Sequence, residues 1–258
     1  MRLSNQPTSE ATPNEPVKPS GGNLLVLEGL QTYIGQFHIL QGLDLAVPEG
    51  AVTVLLGRNG AGKTTTLKTI MGLTPPRQGT ITYRGESING LTTYQIARQG
   101  IGYVPEDRGI FREMTVEENL LLAARGESRA GYRTHLANCL DLFPDMQRFL
   151  KQKAGTLSGG QQQMVAISRG LMTGNKLLLI DEPSKGLAPI VIKAVMDALE
   201  KLKRQVTILL VEQNFTMAST VGDYFYLIDD GHNITNGPMD QLVADTELTR
   251  KYLGVGFA

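Results

Sequence analysis

Gly57-Arg58-Asn59-Gly60-Ala61-Gly62-Lys63-Thr64 is the stretch that decides how this chain is read. It matches G-x-x-x-x-G-K-[ST], a pattern with a physical reason at each place. Glycines let the backbone approach a phosphate closely, successive N–H groups point inward, and the helix that follows presents its positive end. Lys63 has the reach for β- and γ-phosphates, and the Thr64 hydroxyl is placed to ligate Mg²⁺. The flanks supply the required context. Residues 51–56 are a nearly continuous β-rich run, which predicts a strand covered on both faces, and residues 63–71 predict a helix.

Further along, Leu177-Leu178-Leu179-Ile180-Asp181-Glu182 is an apolar strand that ends in two acids. In a parallel sheet ligands gather at the carboxyl ends of strands. Two ionised acids there are poorly explained by packing, because they avoid burial unless paired. Asp181 suits the Mg²⁺ shell, directly or through water. Glu182 suits the general base that polarises an attacking water. A strand followed by an acidic turn is the plain alternative, and the nearby phosphate loop weighs against it.

The remaining pattern fits around these two stretches. Residues 24–30, 43–47, 80–83, 101–104 and 207–211 read as strands, and 224–228 with 232–235 as a hairpin around Asp229-Asp230-Gly231. Residues 190–202 are amphipathic and helical. Residues 116–172 keep helical spacing with Gly and Pro breaks. The sum is an α/β core with a mostly helical insertion near 107–176. Residues 2–22 mix Ser, Thr, Asn, Glu, Pro and Gly around few large apolar side chains, so residues 1–22 are expected to be a disordered tail before one domain at 23–258.

The whole chain has 258 residues, 41% of them hydrophobic, which is enough to bury a sizeable core. Its 25 basic residues balance 25 acidic ones, which argues against a mainly electrostatic nucleic-acid binder. A single cysteine, Cys139, excludes an internal disulfide and a multi-cysteine zinc site and reads as a packing residue. His38, His135 and His232 lack metal-ligand spacing, and Met164 and Met172 lie on a helical stripe that reads as core. No apolar run approaches the roughly 20 residues of a membrane-spanning helix.

Leu157-Ser158-Gly159-Gly160-Gln161-Gln162-Gln163 lies between the phosphate loop and the acid pair. Alone it reads as a Ser-capped helix start. The ordered set resembles the ATPase subunits of ABC transporters over residues 23–254, and Leu-Ser-Gly-Gly-Gln is the family's most specific mark. The resemblance implies a P-loop α/β fold with an antiparallel β-subdomain and a helical subdomain. It also implies ATP and Mg²⁺ as ligands. Gly57, Arg58, Asn59, Gly60, Ala61, Gly62, Lys63, Thr64 and Thr65 would hold the nucleotide. Ser158, Gly159, Gly160 and Gln161 would complete the ATP site of an opposite subunit, Ser158 and the glycine amides contacting the γ-phosphate bound by the partner's Lys63. Tyr33 sits where the family carries an aromatic that stacks on adenine.

Three positions depart from the family's usual pattern. Glu106, in Val104-Pro105-Glu106, stands in the Q-loop, which senses Mg²⁺ and contacts the membrane subunit, where Gln is usual. Ala188 replaces the frequent Asp of the D-loop, and Gln213 replaces the usual His of the switch. A Gln can donate a hydrogen bond to a γ-phosphate but cannot be a cation near neutral pH. Together with Thr115-Val116-Glu117-Glu118-Asn119-Leu120, Gly186-Leu187-Ala188-Pro189, Val211-Glu212-Gln213-Asn214 and Lys251-Tyr252-Leu253-Gly254, these resemble importer ATPases for branched-chain and other amino acids, with urea importers close by. Lys185 is less usual there and has no account from the sequence.

The resemblance therefore implies a homodimer, or a heterodimer with a paralogous ATPase, that sandwiches two ATP molecules. It would sit peripherally on the cytoplasmic face of the cell membrane and drive permease subunits, indirectly serving a solute-binding protein, with no role for nucleic acid. Glu182, Gln213 and Lys63 would be catalytic, and Thr64, Glu106 and Asp181 would face the metal. Alternatives of the same fold are an exporter or lipid-transport ATPase and a non-transport ATPase of DNA repair or chromosome maintenance. A silent module would be expected to lose Lys63 or Glu182, and both are kept.

Overall fold

The computed structural model describes residues 22–254, so the expectation of a disordered N-terminal tail falls, Gly22 apart, outside the described residues. Two sheets organise the chain. The first is antiparallel and has the order β2-β1-β4-β5, formed by β1 (Asn23–Ile34), β2 (Phe37–Pro48), β4 (Gln78–Tyr83) and β5 (Glu86–Ser87). The second has the order β10-β9-β3-β8-β7-β6. It comprises β3 (Val52–Leu56), β6 (Ile101–Val104), β7 (Leu177–Asp181), β8 (Thr207–Val211), β9 (Tyr224–Asp229) and β10 (His232–Pro238). Its strands β9, β3, β8, β7 and β6 are parallel, and β10 pairs antiparallel to β9 as the edge of a hairpin.

Every residue of β3, β7 and β8 is buried, which explains why these strands read as nearly unbroken apolar runs. The period of two then sorts the side chains between two cores. Val54, Leu56, Leu178, Ile180, Ile208 and Leu210 pack with the helices on one face. Leu55, Leu177, Leu179, Leu209, Val211 and Ile228 pack on the other, against α1 (Lys63–Ile70) and the antiparallel sheet. Each such Leu or Ile contributes roughly 1.5–3 kcal/mol through burial.

Between β6 and β7 the chain forms α3 (Val116–Ala123), α4 (Arg129–Leu142), two 3-10 turns and α5 (Gly159–Leu171). Leu120, Cys139, Met146 and Phe149 from this segment join the same cluster as the strand residues, so the helical part shares its core with the sheet. Cys139 is fully buried beside Met172, and burial pushes its thiol up to about 11, as suits a packing residue. The remaining helices are α2 (Thr93–Arg98), α6 (Pro189–Leu202), α7 (Phe215–Val221), α8 (Met239–Ala244) and α9 (Thr246–Leu253). Among the described residues no helix is long and apolar enough to cross a membrane.

One consequence of strand order governs the site. In β8, which lies between β3 and β7, Val211 pairs with both Leu55 and Asp181. The loop after β3, the acids after β7 and the segment after β8 therefore leave the sheet side by side at its carboxyl edge. β6 is next to β7, with Val104 opposite Ile180, and delivers Glu106 to the same edge.

Candidate functional site

The phosphate loop closes on its own lysine. Lys63 Nζ donates to the carbonyls of Gly57 at 2.9 Å and Arg58 at 3.0 Å, and lies 3.7 Å from Glu182 Oε1. Burial lowers the pKa of Lys63, while Glu182 and Asp181 oppose that shift. Gly62 has φ 103° and caps α1 without a side chain, and a Cβ there would meet Leu40 Cδ2 at 2.8 Å. A residue other than glycine would strain both the turn and the packing, so the first-turn amides stay free for an anion. The β9–β10 turn braces the loop from behind, through Gly231 N to Ala61 O at 3.1 Å and Gln41 N to Gly231 O at 3.0 Å. Gly60 is exposed at the loop tip and Thr65 is buried in the first turn of α1. The Arg58 side chain turns away and donates to the carbonyl of Lys251 in α9 at 2.8 Å.

Across from the loop stand the acids of β7. Thr64 Oγ1 donates to Asp181 Oδ1 at 3.0 Å, and the Tyr103 hydroxyl donates to Oδ2 at 3.4 Å. Asp181 is 1% exposed, and burial pushes its carboxyl up to about 6 against the pull of the Thr64 hydroxyl. Glu182 has φ 45°, a left-handed conformation uncommon for a side chain of this size. That turn places its carboxylate against the loop instead of continuing the strand. Gln213 Nε2 donates to Glu182 Oε1 at 2.6 Å and also to Asn59 Oδ1, so the segment after β8 ties the loop to the acid. Lys63, Asn59, Thr64, Asp181, Glu182 and Gln213 thus form one cluster.

Two acids complete the edge. Glu106 Oε1 accepts from Lys185 Nζ at 2.5 Å, and the same ammonium lies 3.5 Å from Glu182 Oε2. Glu212 is 1% exposed and accepts four hydrogen bonds, from the Ser184 amide and hydroxyl and from the amides of Gln213 and Asn214. Burial raises its pKa, and those donors oppose the rise. It thereby joins the turn after β7 to the turn after β8. Sequence reasoning did not single out Glu212, Tyr103 or a role for Lys185. The rule that singles out Asp181, an acid at the end of a buried parallel strand, applies equally to Glu212.

The remaining expected site residues lie elsewhere. Ser158 caps α5, its hydroxyl accepting from Gln161 N at 3.3 Å while Gln161 Oε1 takes the Ser158 amide at 3.0 Å. This is a capping box, and none of these bonds reaches the phosphate loop. A Cβ on Gly160 would lie 2.3 Å from Val191 Cγ1, so glycine is what lets α5 approach α6. Gly159 lies beside the Arg108 guanidinium. Tyr33 stacks on His38 with centroids 4.1 Å apart, and the Arg77 guanidinium sits 4.1 Å from the same ring. Stacking on adenine would require one of these two to move.

An uncapped helix start, a lysine in its loop and an acid pair opposite can chemically hold a nucleoside triphosphate. Residues 40–185 match the ABC transporter family. The chain belongs to that family. It is 39% identical to the high-affinity branched-chain amino acid transport ATP-binding protein BraG of Pseudomonas aeruginosa, over 90% of this chain and all of BraG. It is 32% identical to the lipopolysaccharide export system ATP-binding protein LptB of Escherichia coli, over 85% of this chain and 92% of LptB. Among solved structures, a nucleotide-free ATP-binding cassette from an ABC transporter superposes with TM-score 0.77 at 26% identity, covering 92% of this chain and all of that one. The dimeric cassette MJ0796 gives 0.74 at 27% identity, covering 83% and 98%. The chain is thus an ABC ATPase, an ATP-hydrolysing cassette of a transporter.

Proposed function

We propose that this ABC ATPase powers uptake of branched-chain or related amino acids through a membrane permease, bound peripherally at the cytoplasmic face. The observation that carries the reading is the match along all of BraG, in a chain that bears Glu106 and Gln213 where the wider family more often has Gln and His. A groove of about 860 Å³ beside β6 supports it. Tyr94, Arg98, Arg108, Arg125 and Arg169 line this groove, next to the Q-loop segment assigned to the permease.

In this reading the amides of residues 57–62, with Lys63, Thr64 and Thr65, hold the triphosphate. Lys63 exchanges its two carbonyl partners for phosphate oxygens, a charge-assisted contact. Glu182 takes the proton of the attacking water, and Gln213 orients the γ-phosphate as a neutral donor while holding Glu182 in place. Glu212 and Tyr103 fix the turns and Asp181 around them. The donor set fits Mg²⁺: the Thr64 hydroxyl and the Asp181 carboxylate are hard oxygen ligands 3.0 Å apart, while Glu106 is held by the Lys185 ammonium at the same sheet edge. No group of three or more acidic, His or Cys residues forms a metal cage among the described residues, as suits an ion that shares phosphate oxygens and water. When bound, the ion would neutralise charge on the transferring phosphoryl group.

Ser158–Gln161 would serve the ATP held by a partner chain, and the dimeric MJ0796 cassette lends support. The similarity to LptB keeps export as the second reading. Deleting the gene and measuring uptake of radiolabelled leucine separates the two. Loss of uptake, restored by the parent gene and not by Glu182→Gln, is expected. Unchanged uptake with a defect in lipopolysaccharide export would favour the second reading.

A further inference from the structure

Lys185 is the motif residue that neither the sequence nor the reaction absorbs, and the structure gives it two partners. Its turn brings it back over the acid: Lys185 N donates to Glu182 O at 3.1 Å. Its ammonium then bridges Glu106 Oε1 at 2.5 Å and Glu182 Oε2 at 3.5 Å. The other oxygen of Glu182 is held by Gln213 and faces Lys63. Glu106 and Lys185 follow adjacent parallel strands, β6 and β7, so the sheet itself sets the pair.

We propose that Lys185 is a positioning residue of the hydrolysis site, whose ammonium cancels the charge of Glu106 and fixes Glu182 through Oε2. The couple Glu106–Lys185 then does the work of one neutral side chain. Without it, Glu106, Glu182 and Asp181 would put three carboxylates at one sheet edge, facing a polyanion. The pair borders Glu182, which faces Lys63, so an uncancelled Glu106 charge would fall beside the terminal phosphate that Lys63 is read to hold. The inference rests on the nucleotide-site reading given above.

The test is a double-mutant cycle read as nucleotide affinity. Binding of fluorescent N-methylanthraniloyl ATP and ADP is measured in EDTA, so that neither turnover nor metal contributes. Lys185→Met should weaken ATP binding by about ten-fold, the scale of coupling between touching charged groups, and ADP binding by less than about two-fold. Glu106→Gln on top of Lys185→Met should restore ATP affinity to within about two-fold of the parent, since the unpaired carboxylate of Glu106 is gone and Glu182 keeps Lys63. Lys185→Arg keeps the charge and should bind as the parent does. Parent-like binding by Lys185→Met, no recovery in the double variant, or a loss in Lys185→Arg equal to that in Lys185→Met would each overturn the proposal. Lys63→Ala is the control: if it binds ATP as the parent does, the nucleotide site itself is misplaced and the pair falls with it.

Discussion

The two stretches that read most clearly as nucleotide contacts behave differently in the folded chain. The phosphate loop is wired to distant residues: Lys63 reaches Glu182, Thr64 reaches Asp181, and Asn59 reaches Gln213. The start of α5 is wired to itself, since Ser158 and Gln161 satisfy each other in a capping box. One region is joined to three other segments of the chain, and the other is a helix end whose polar groups are locally satisfied. In the proposed reading, the difference means that the second motif waits for a ligand brought by another molecule. A capped helix start keeps its positive end and remains a surface for an anion brought by a partner.

The largest effect that could break this comparison belongs to Lys63. Lys63→Ala should weaken ATP binding to the isolated chain and reduce hydrolysis by on the order of 10³-fold or more, because it removes the charge-assisted contact to the phosphates. Normal turnover, measured as phosphate release, would take the loop out of the mechanism. Ser158→Glu should separate the two regions. ATP binding to the isolated chain should stay within about two-fold, because none of the bonds of Ser158 reaches the loop, while hydrolysis should fall by roughly 10²-fold as like charge meets the partner's γ-phosphate. The variant also loses its cap, at a cost of about 1 kcal/mol in unfolding free energy. An equal loss of ATP affinity in the isolated chain would show that Ser158 serves its own site.

A smaller effect sharpens the electrostatics of the region around the phosphate loop. Asp181 has its pKa raised from 3.8 to about 6 by burial, so the folded state holds a proton that the unfolded state has released. Its contribution to stability is fully present below about 3.8 and is lost as pH rises through about 6. Glu212, also raised by burial, adds in the same direction. The ligand-free protein should therefore lose part of its thermal stability between about pH 4 and pH 6, and Asp181→Asn should flatten that slope. Mg²⁺ should bind more weakly below about pH 6, where Asp181 is protonated. An unchanged slope in Asp181→Asn would assign the pH dependence to other groups.

Much of this was legible in the sequence, for reasons that differ by element. The buried strands β3, β7 and β8 announce themselves because parallel sheets need apolar residues on both faces. The phosphate loop and Asp181–Glu182 are legible because their chemistry is local in sequence. The short helices were not. α2 buries only Ile96 and is set by a Thr92–Gln95 capping box, and α9, two turns long, rests Leu248, Tyr252 and Leu253 only half-buried on the core, so each signal is too short to stand out. Contacts between distant segments were also hidden, such as Arg58 on Lys251 and the four donors around Glu212. Nothing local tells Arg58 that the C-terminal helix will supply a carbonyl. Lys185 was visible as an oddity, and only the neighbouring strand ends gave it partners.

The central claim is that one chain holds ATP and a second chain closes over it. Glu182→Gln tests it most directly, because it removes proton acceptance while leaving Lys63, Thr64 and the loop amides untouched. Hydrolysis should fall by roughly 10²–10⁴-fold, the scale of general-base loss, so that ATP persists. Light scattering of this variant, alone and with a paralogous ATPase partner, should then give a dimer with Mg²⁺ and ATP and monomers with ADP. Monomers with ATP under both conditions would contradict the account.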